Sequence, residues 1–483
     1  MEIAPDSRAR LERIPGEIDH VHLIGVGGSA MAALAGMLAE RGLRVTGSDD
    51  HIYEPTASLL RRLRIEIREG YGAFNLTPSP DLCVVGNVIT RANPEAAGLL
   101  ASNIPYLSMP EALWHFFLRE PRVLMVAGTH GKTTSTAIMA HILASGGRDP
   151  SMLVGGVARD FNANYRLGQG VDFVIEGDEY DTAFFDKGPK FLHYRPAGAI
   201  VTAVEFDHAD IYRDLDHVKA SFRALAAAMG PERVLVVSAD FPEALDATAA
   251  TRARRLTFGL RAGEYRAGDL ECDSRGAHFS IVRNGQIVAR GLELPVGGRM
   301  NVANALGVWV LLNQFDVGED ELRHGLASFS GVARRQEVVG EAGGVTVIDD
   351  FAHHPTAIRS TLEAIAERYP HRRILAAFEP RSNTARRAVF QSGFAEAFDR
   401  AARVYLAPVY FKENDPIPSG DRLNTDALAE GIGARGPSAR ACGSVDEIVQ
   451  RMLSDAVAGD IMLCMSNGPF EKLTLRLLEG LRP

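Results

Sequence analysis

The sequence contains few cysteines, and none of them is placed to form a local pair. Cys83, Cys272, Cys442 and Cys464 are far apart in the chain, and no C-x-x-C motif occurs among them. This spacing argues against a disulfide framework and against a cysteine zinc site. It is typical of small core residues in a protein that works in a reducing compartment.

The sequence also lacks long apolar runs and an excess of positive charge. No stretch of about 18 apolar residues occurs, so we expect no membrane-spanning helix. The charged start of the chain lacks the apolar centre of a signal peptide, which favours a cytoplasmic protein. The net charge of −9 offers no broad basic surface, so neither nucleic acid nor a membrane is an expected partner. A local basic pocket for a phosphorylated small molecule is compatible with this charge.

The chain is too long for a single core. Its 483 residues predict about three domains, at roughly 100–200 residues each. Three times, a strand-like apolar run leads into a glycine-rich or polar turn and then a helical pattern, which predicts an α/β fold with largely parallel sheets. The predicted domains are residues 20–121, 122–331 and 332–483. Within the second, the short alternating segments of 252–294 and their Asn284-Gly285 turn predict a β-rich annex.

A glycine-rich turn lies between a strand and a helix in the second region. The strand predicted at 122–127 leads into Gly128, Thr129, His130, Gly131, Lys132, Thr133 and Thr134. Backbone N–H groups at such a turn, together with a helix N-terminus, bind phosphates. Lys132 can reach the β- and γ-phosphates and the Thr133 hydroxyl can hold Mg²⁺, so the sequence predicts ATP and Mg²⁺ as ligands. The turn is a shortened form, because Val126 stands where the common pattern has another glycine.

A second glycine turn follows the strand predicted at 22–24. Gly25, Gly27 and Ala30 fit a dinucleotide-binding pattern, and Asp49 ends the next predicted strand. The turn could bind NAD, or it could serve only tight packing. Beside a separate ATP loop, we favour a nucleotide-linked substrate whose diphosphate lies on this turn.

Acidic and histidine-containing segments follow three further predicted strands. Residues 176–181 read EGDEYD and offer oxygen ligands for Mg²⁺, although a solvated acidic loop is the alternative. His208 lies in the segment 205–210, after a strand predicted at 200–204, and could bind a metal, contact a phosphate or serve the loop alone. For DDFAHHP at 349–355 we favour substrate and nucleotide contacts over a separate metal site.

Together these motifs resemble those of the Mur ligase family, the ATP-dependent amide-forming enzymes of peptidoglycan assembly. The resemblance runs in order from about residue 20 to near the C-terminus, through GTHGKTT, EGDE, the DH at 207–208, NVAN at 301–304, RR at 334–335 and DDFAHHP. It implies a three-domain α/β fold with a Rossmann-like N-terminal domain for a UDP-sugar, a P-loop ATPase-type central domain and a Rossmann-like C-terminal domain. It also implies ligation through an acyl-phosphate.

Two branches of the family differ in the amine that they use. One branch joins L-alanine to UDP-N-acetylmuramate, and HLIGVGGSAMAALA at 22–35 resembles it. The recycling branch attaches the tripeptide L-alanyl-γ-D-glutamyl-meso-diaminopimelate to UDP-N-acetylmuramate. EGDEYDTAFFDK at 176–187, KFLHYRP at 190–196 and EPRSNT at 379–384 resemble this second branch, which we therefore favour.

The resemblance also implies roles for individual residues. The implied catalytic residues are Lys132, Glu176, His208 and Arg334. The implied Mg²⁺ ligands are Thr133, Glu176 and His208. ATP would be held by the phosphate loop together with Asn301, Asn304, Arg334 and Asp349. The substrates would be held by Gly25, Gly27, Gly28, Ser29, Asp49, His353, Arg381, Ser382 and Asn383.

Two positions depart from the family pattern. Met300 stands where the family often has histidine, next to the adenine-contacting asparagine. Phe222 stands where some relatives carry a carbamylated lysine, with Lys219 offset by three positions, so we do not predict that modification. The alternatives to a tripeptide ligase are an L-alanine ligase, an NAD-dependent oxidoreductase and an ATP-gated binding protein without ligase activity.

Overall fold

The computed structural model describes residues 5–54, 56–410 and 417–482. The chain divides into two compact units, of which the first comprises Met1–Glu205, Asp216–Glu264 and Gly307–Gly325. The second comprises Phe206–Leu215, Tyr265–Leu306 and Leu326–Pro483. All four cysteines are free thiols, as the sequence predicted. Among the described residues, no helix has both the length and the apolar character needed to cross a bilayer.

The first unit begins with a five-stranded parallel sheet in the order β3-β2-β1-β4-β5. Its strands are β1 (His20–Ile24), β2 (Arg44–Asp49), β3 (Glu66–Glu69), β4 (Leu82–Val85) and β5 (Tyr106–Ser108). Its helices are α1 (Pro5–Glu12), α2 (Ser29–Glu40), α3 (Thr56–Arg62), α4 (Pro94–Leu100) and α5 (Met109–Leu113). The strand order reverses direction between β1 and β4, and ligands of such sheets bind at the carboxyl ends of the strands beside this point. The glycine turn after β1 lies there.

A buried polar cluster stands behind that glycine turn. The Glu95 side chain, which is fully buried, lies 2.7 Å from His22 Nε2 and accepts hydrogen bonds from the Ser48 hydroxyl (2.9 Å) and from Asn75 Nδ2 (2.7 Å). The other ring nitrogen of His22 lies 2.7 Å from the Thr46 hydroxyl. Through these contacts with one buried carboxylate, the cluster ties β1, β2 and α4 together.

The same unit contains a second, larger run of strands in the order β14-β13-β12-β6-β9-β7-β8. These are β6 (Arg122–Ala127), β7 (Ser151–Ala158), β8 (Ala163–Arg166), β9 (Asp172–Gly177), β12 (Gly198–Val201), β13 (Val234–Ser238) and β14 (Arg254–Gly259), with the β10 (Asp181–Ala183) and β11 (Asp186–Pro189) hairpin beside them. The associated helices are α6 (Lys132–Ser145), α7 (Leu215–Ala228) and α8 (Pro242–Ala247). Strand β6, which leads into the phosphate loop, lies between β12 and β9 and is parallel to both. The strand predicted at 200–204 is wrong in its bounds, because β12 ends at Val201.

Helix α2 and strand β8 pack closely at Gly36 and Tyr165. A Cβ atom added to Gly36 would lie 2.3 Å from the Tyr165 hydroxyl oxygen, so only glycine allows the ring to lie against the helix. The Tyr165 hydroxyl donates to Glu40 Oε1 at 2.9 Å, one turn further along the same helix. The helix that follows the glycine turn is therefore fixed to the sheet that carries the phosphate loop.

The second unit contains an antiparallel ribbon of three long strands. These are β15 (Tyr265–Asp273), β16 (Gly276–Arg283) and β17 (Gln286–Leu294). Strands β16 and β17 are joined at Asn284 and Gly285, both of which have positive φ angles (47° and 85°). This geometry belongs to the tight hairpin that Asn-Gly favours, so the β-rich annex is confirmed. Helices α9 (Arg299–Leu312) and α10 (Glu319–Ser328) follow the ribbon in the chain, and their residues within Gly307–Gly325 belong to the first unit.

The remainder of the second unit is a six-stranded sheet in the order β18-β19-β23-β20-β21-β22. Its strands are β18 (Glu337–Ala342), β19 (Val345–Asp350), β20 (Ile374–Phe378), β21 (Arg403–Leu406), β22 (Ser438–Ala441) and β23 (Ile461–Met465). Its helices are α11 (Pro355–Arg368), α12 (Gln391–Ala397), α13 (Thr425–Gly433), α14 (Val445–Asp455) and α15 (Leu473–Gly480). Among the described strands of this sheet, only β18 and β19 pair in an antiparallel manner.

Side chains alternate between the two faces of this sheet, as a sheet buried on both sides requires. Ile374 and Phe378 of β20 belong to the core formed with α11, α12 and α13. Leu375 and Ala377, between them in the sequence, belong to the core formed with α14 and α15. Because β19 to β23 run parallel, the polar residues that follow these strands lie at one edge of the sheet.

Candidate active site

The phosphate loop follows β6 in a conformation that two glycines make possible. Gly128 has a φ angle of 135°, and Gly131, at the N-terminus of α6, has a φ angle of 77°. A Cβ atom at Gly128 would lie 2.2 Å from the Thr202 hydroxyl oxygen. That hydroxyl contacts the carbonyl oxygens of Ala127, at 3.2 Å, and His130. Thr202, which sequence reasoning did not identify, therefore fixes the shape of the loop from the neighbouring strand.

Lys132 is paired with a buried carboxylate. Its Nζ atom donates to both carboxylate oxygens of Glu179, at 2.9 and 2.8 Å, and to the carbonyl oxygen of Gly128 at 2.7 Å. Glu179 is only 1% exposed. Burial lowers the pKa of Lys132, but the charges of Glu179, Asp178 and Glu176 more than offset it, so the pKa lies above its ordinary value. The lysine is thus a permanent cation at the mouth of the loop.

Glu176 and Thr133, two of the predicted Mg²⁺ ligands, lie in contact with each other. Glu176, near the end of β9, is in register with Val126 of β6, and its Oε1 accepts a hydrogen bond from the Thr133 hydroxyl at 3.2 Å. Its other oxygen accepts from the Gly155 N–H at 2.7 Å. Burial is the largest influence on the pKa of Glu176 and raises it, against the opposing charge of Lys132. The Thr133 hydroxyl and the buried Glu176 carboxylate fit Mg²⁺, because this ion prefers hard oxygen ligands.

The other two carboxylates of this acidic segment are held in ion pairs. Asp178 accepts from Lys190 Nζ at 2.6 Å and from the Tyr180 N–H at 3.2 Å. Asp181 lies 3.1 Å from Lys187 Nζ. Their contacts therefore support a structural role, and they shape the turn that presents Glu179 to Lys132.

The glycine turn of the first sheet is held closed by Asp49. The Oδ2 atom of Asp49 accepts the Gly27 N–H at 2.8 Å, and a Cβ atom at Gly27 would lie at the same distance from that oxygen. Gly25 has a φ angle of 84°, Gly28 directly precedes α2, and Ser29 is the first residue of the helix. The helix N-terminus stays a candidate diphosphate site, and the Asp49 carboxylate supports the turn.

His208 lies in the second unit, beside a buried aspartate. Its backbone N–H donates to Asp207 Oδ1 at 2.7 Å, and its backbone has a φ angle of 52°. His353 is held by a contact of 3.0 Å between its Nδ1 and the Phe351 carbonyl oxygen. Burial lowers the pKa of His353, while the charge of Asp207 acts in the opposite direction. The role of His208 as a third metal ligand, beside the two residues of the first unit, stays a prediction.

The second histidine of the pair at 353–354 serves the helix that follows it. His354 Nδ1 accepts the Thr356 N–H at 3.3 Å as the N-cap of α11. Its Nε2 lies 3.2 Å from the Phe206 carbonyl oxygen. With both ring nitrogens occupied, His354 supports structure, and His353 is the member of the pair with a candidate role in the site.

Arg334 and Asp349, both predicted to contact ATP, form an ion pair with each other. Arg334 Nε donates to Asp349 Oδ2 at 3.1 Å, and its Nη2 donates to the carbonyl oxygens of Ser466 and Gly468, both at 2.7 Å. Burial raises the pKa of Asp349, against the lowering charge of Arg334. The guanidinium groups of Arg334 and Arg335 lie over the Phe351 ring at 5.5 and 4.7 Å. The arginine is therefore fixed in position by the sheet edge.

The residues of the EPRSNT segment differ in how far their side chains are available to contact a substrate. The Arg381 guanidinium lies 3.8 Å from the centre of the Tyr410 ring, contacts Glu379 Oε1 at 3.4 Å and is partly exposed. Ser382 Oγ accepts the Ala385 N–H at 2.9 Å, and Asn383 Nδ2 donates to Asp210 Oδ2 at 2.8 Å. Asn383 Oδ1 accepts from Arg386, a fully buried arginine that sequence reasoning missed although it follows the segment directly. Ser382 and Asn383 thus shape the segment, and Arg381 is its best candidate for a substrate contact.

Asn301 and Asn304 are buried near the start of α9. Asn301 Nδ2 donates to the Gly297 carbonyl oxygen at 2.8 Å, and Asn304 Nδ2 lies 3.4 Å from Asn301 Oδ1. These contacts fix the first turn of the helix. Their assignment to the adenine side of ATP stays a prediction.

Comparison with known proteins identifies the family. Three family models match consecutive parts of the chain: "Mur ligase family, catalytic domain" at residues 20–120, "Mur ligase middle domain" at 126–312 and "Mur ligase, glutamate ligase domain" at 334–468. The chain belongs to the Mur ligase family. It is therefore an ATP-dependent ligase, and its three-domain α/β fold is that of the family.

Individual relatives of this Mur ligase cover almost the whole chain. The UDP-N-acetylmuramate–L-alanyl-γ-D-glutamyl-meso-2,6-diaminoheptandioate ligase of Escherichia coli is 37% identical over 95% of this chain and 98% of its own length. The UDP-N-acetylmuramate–L-alanine ligase of Agathobacter rectalis is 32% identical over 95% of this chain and 98% of its length. The crystal structure of a murein peptide ligase from Psychrobacter arcticus is 32% identical, with a TM-score of 0.71 over 96% of this chain and 99% of that one.

Replacing Glu176 with glutamine should weaken the response of the ligase to Mg²⁺. The amide keeps the size of the carboxylate but removes the charge that would attract the ion. We expect the Mg²⁺ concentration for half-maximal activity to rise at least about tenfold. The matched control is Asp181→Asn, in the same acidic segment but paired with Lys187, which should leave the titration unchanged. An unaltered titration for Glu176→Gln would remove this residue from the metal site.

Proposed function

We propose that this Mur ligase joins the tripeptide L-alanyl-γ-D-glutamyl-meso-diaminopimelate to UDP-N-acetylmuramate, at the expense of ATP, in peptidoglycan recycling. The observation that carries the proposal is the identity of 37% over 95% of the chain with the Escherichia coli enzyme of that name, against 32% for an L-alanine ligase of similar coverage. The EPRSNT segment adds local support, because it presents the Arg381 guanidinium on a ring where a peptide carboxylate could pair with it.

The reaction needs a carboxylate to be activated before an amine can attack it. ATP would transfer its γ-phosphoryl group to the lactyl carboxylate of UDP-N-acetylmuramate, giving an acyl-phosphate and ADP. The α-amine of the tripeptide would then attack the acyl carbon, form the amide, release phosphate and lose a proton. Bound Mg²⁺ would offset the negative charge of the phosphates, with Thr133 and Glu176 as its proposed protein ligands.

The chain's own residues have defined tasks in this scheme. Lys132 provides a fixed positive charge next to the transferring group, and Arg334, aligned by Asp349, is the proposed second cation. His208 is proposed to assist a second Mg²⁺ or the acyl-phosphate. The glycine turn at 25–28, with Ser29 at the start of α2, is proposed to hold the diphosphate of the UDP-sugar.

The decisive experiment compares amines in an assay of phosphate release. With ATP, Mg²⁺ and UDP-N-acetylmuramate present, we expect kcat/KM for the tripeptide to exceed that for L-alanine by at least about 100-fold, because a site with polar contacts for a larger substrate discriminates strongly against one that lacks them. Equal or better use of L-alanine would assign the chain to the other branch. Phosphate release that does not depend on the amine would reject a ligase.

A further inference from the structure

The segment KFLHYRP at 190–196 forms part of a cavity that the proposed reaction does not use. Lys190 braces Asp178, and Phe191 and Tyr194 are buried, whereas His193 and Arg195 lie on the wall of the cavity. The cavity has a volume of about 570 Å³ and lies within the first unit. Its walls come from α1, α5, α7, the β10–β11 hairpin and Arg252. Two short helices, Trp114–Leu118 after α5 and Lys190–His193 after β11, also contribute. None of its lining residues belongs to the phosphate loop or to the glycine turn.

The acidic groups on this wall already have hydrogen-bond or ion-pair partners. The buried Glu111 accepts from Arg10 Nη2 at 2.7 Å and from the Ser108 N–H at 2.8 Å. Asp186 lies 3.1 Å from His193 Nε2 and accepts the Gly188 N–H at 3.1 Å. Glu111, Asp186 and His193 are close enough together to bind a metal ion, but Arg10 pairs with Glu111 and lies 3.9 Å from Asp186. The carboxylates therefore do not make this a cation site.

Two arginines of the cavity, in contrast, have no carboxylate partner among the residues that the structure describes. The half-buried Arg195 guanidinium lies 4.2 Å from the centre of the Trp114 ring and forms no ion pair with any residue that the structure describes. Burial lowers the pKa of Arg195, and the charge of Arg119 lowers it further. Arg252 also lines the cavity, again without an ion pair in the described part of the chain. Arg195 and Arg252 thus face the cavity without a carboxylate partner among the described residues.

The remaining walls are apolar. Leu11, Leu192, Ala224 and Ala227 face the same space. A volume of about 570 Å³ lies within the range of roughly 300–1,000 Å³ for small-molecule sites, which combine apolar walls with a few polar anchors. An arginine stacked on an aromatic ring is held in one orientation, which suits it to a planar carboxylate or to a phosphate.

We propose that this cavity binds a small organic anion, a carboxylate or phosphate on an apolar body, with Arg195 as its charge partner. The Trp114 ring fixes the guanidinium, the apolar walls receive the body of the ligand, and Arg252 adds a second positive charge. The site is additional to the proposed ligase reaction and does not depend on it.

The two tryptophans of the chain allow a direct test. Trp114 lines the cavity, and Trp309 is buried in α9. In the Trp309→Phe variant, with ADP and Mg²⁺ saturating the phosphate loop, we expect phenyl phosphate or benzoate to change the Trp114 emission in a saturable manner. Arg195→Gln should weaken this response at least tenfold, Arg195→Lys should weaken it less, and neutral benzamide should give none. Calorimetric titration of the unaltered chain with the same probes covers the case in which the Trp309→Phe variant does not fold.

The control is Arg275→Gln, an arginine that is 79% exposed and paired with Asp273 in the β15–β16 turn, which should leave the response unchanged. A stronger response to phenyl phosphate assigns the site to phosphates, and a stronger response to benzoate assigns it to carboxylates. The proposal is overturned if neither probe binds in a saturable manner, or if Arg195→Gln binds as tightly as the parent. Because the readout is fluorescence and not turnover, its failure would leave the ligase function untouched.

Discussion

Lys132→Ala should abolish ligation and also destabilise the protein. Loss of the positive charge beside the transferring phosphoryl group should lower kcat by about a thousandfold or more. In addition, the variant removes the ion pair between Lys132 and Glu179, a carboxylate that is only 1% exposed. Breaking a buried pair from one side costs about 3–5 kcal/mol in the free energy of unfolding. Phosphate release and urea denaturation measure the two effects separately.

The double variant Lys132→Ala/Glu179→Gln separates the two roles. Removing the charge of Glu179 as well should restore most of the lost stability. Activity should stay absent, because no cation has been returned to the loop. Glu179→Gln alone should keep a folded protein, since Lys132 still donates to the Gly128 carbonyl oxygen. Retained turnover in Lys132→Ala would show that the phosphate loop has been assigned wrongly. Unchanged stability in that variant would contradict the buried pair.

Glu95→Ala should have the largest effect on stability outside the site. The substitution removes one carboxylate and leaves His22, Ser48 and Asn75 buried without their acceptor. Each unsatisfied buried group costs about 1–3 kcal/mol, with partial relaxation, so we expect a loss of about 3–5 kcal/mol in the free energy of unfolding.

Urea denaturation of the Glu95→Ala variant, followed by circular dichroism, measures the change in its free energy of unfolding. The matched control is Glu69→Ala, at the exposed end of β3 in the same sheet, which should change stability by less than about 0.5 kcal/mol. Equal stabilities for the two variants would contradict the buried cluster. The glycine turn lies directly after β1, so the affinity for the UDP-sugar should fall along with the stability of this sheet.

Local patterns predicted the strands and turns of the site well. Each glycine turn and each acidic segment follows a buried apolar run, and in parallel sheets the ends of such runs meet at one edge. The hairpin at Asn284-Gly285 is equally local, because the backbone angles of two residues decide it. The strand predicted at 200–204 was too long, because residues 202–204 are apolar or small but turn away to contact the phosphate loop.

The partners of individual side chains could not be predicted in this way. EGDE contains three carboxylates within four residues, and the turn after β9 decides that Glu176 contacts Thr133 while Glu179 contacts Lys132. The contact of Thr202 with the phosphate loop depends on β12 lying beside β6, more than 70 positions away in the sequence. Arg381 and Asn383 are close neighbours in one motif, yet one lies on a ring and the other is occupied by Asp210. Such choices depend on tertiary packing and on the geometry of turns.

The contact between Gly36 and Tyr165 limits which substitutions this chain can accept at the two positions. A side chain at position 36 and a tyrosine at position 165 exclude each other, since the added Cβ would lie 2.3 Å from the hydroxyl oxygen. Neither position can therefore drift independently, and a larger residue at one is compatible only with a smaller residue at the other. A chimera that takes its first 120 residues from one Mur ligase and the rest from another would inherit this pair from two parents, so its folding depends on whether they match.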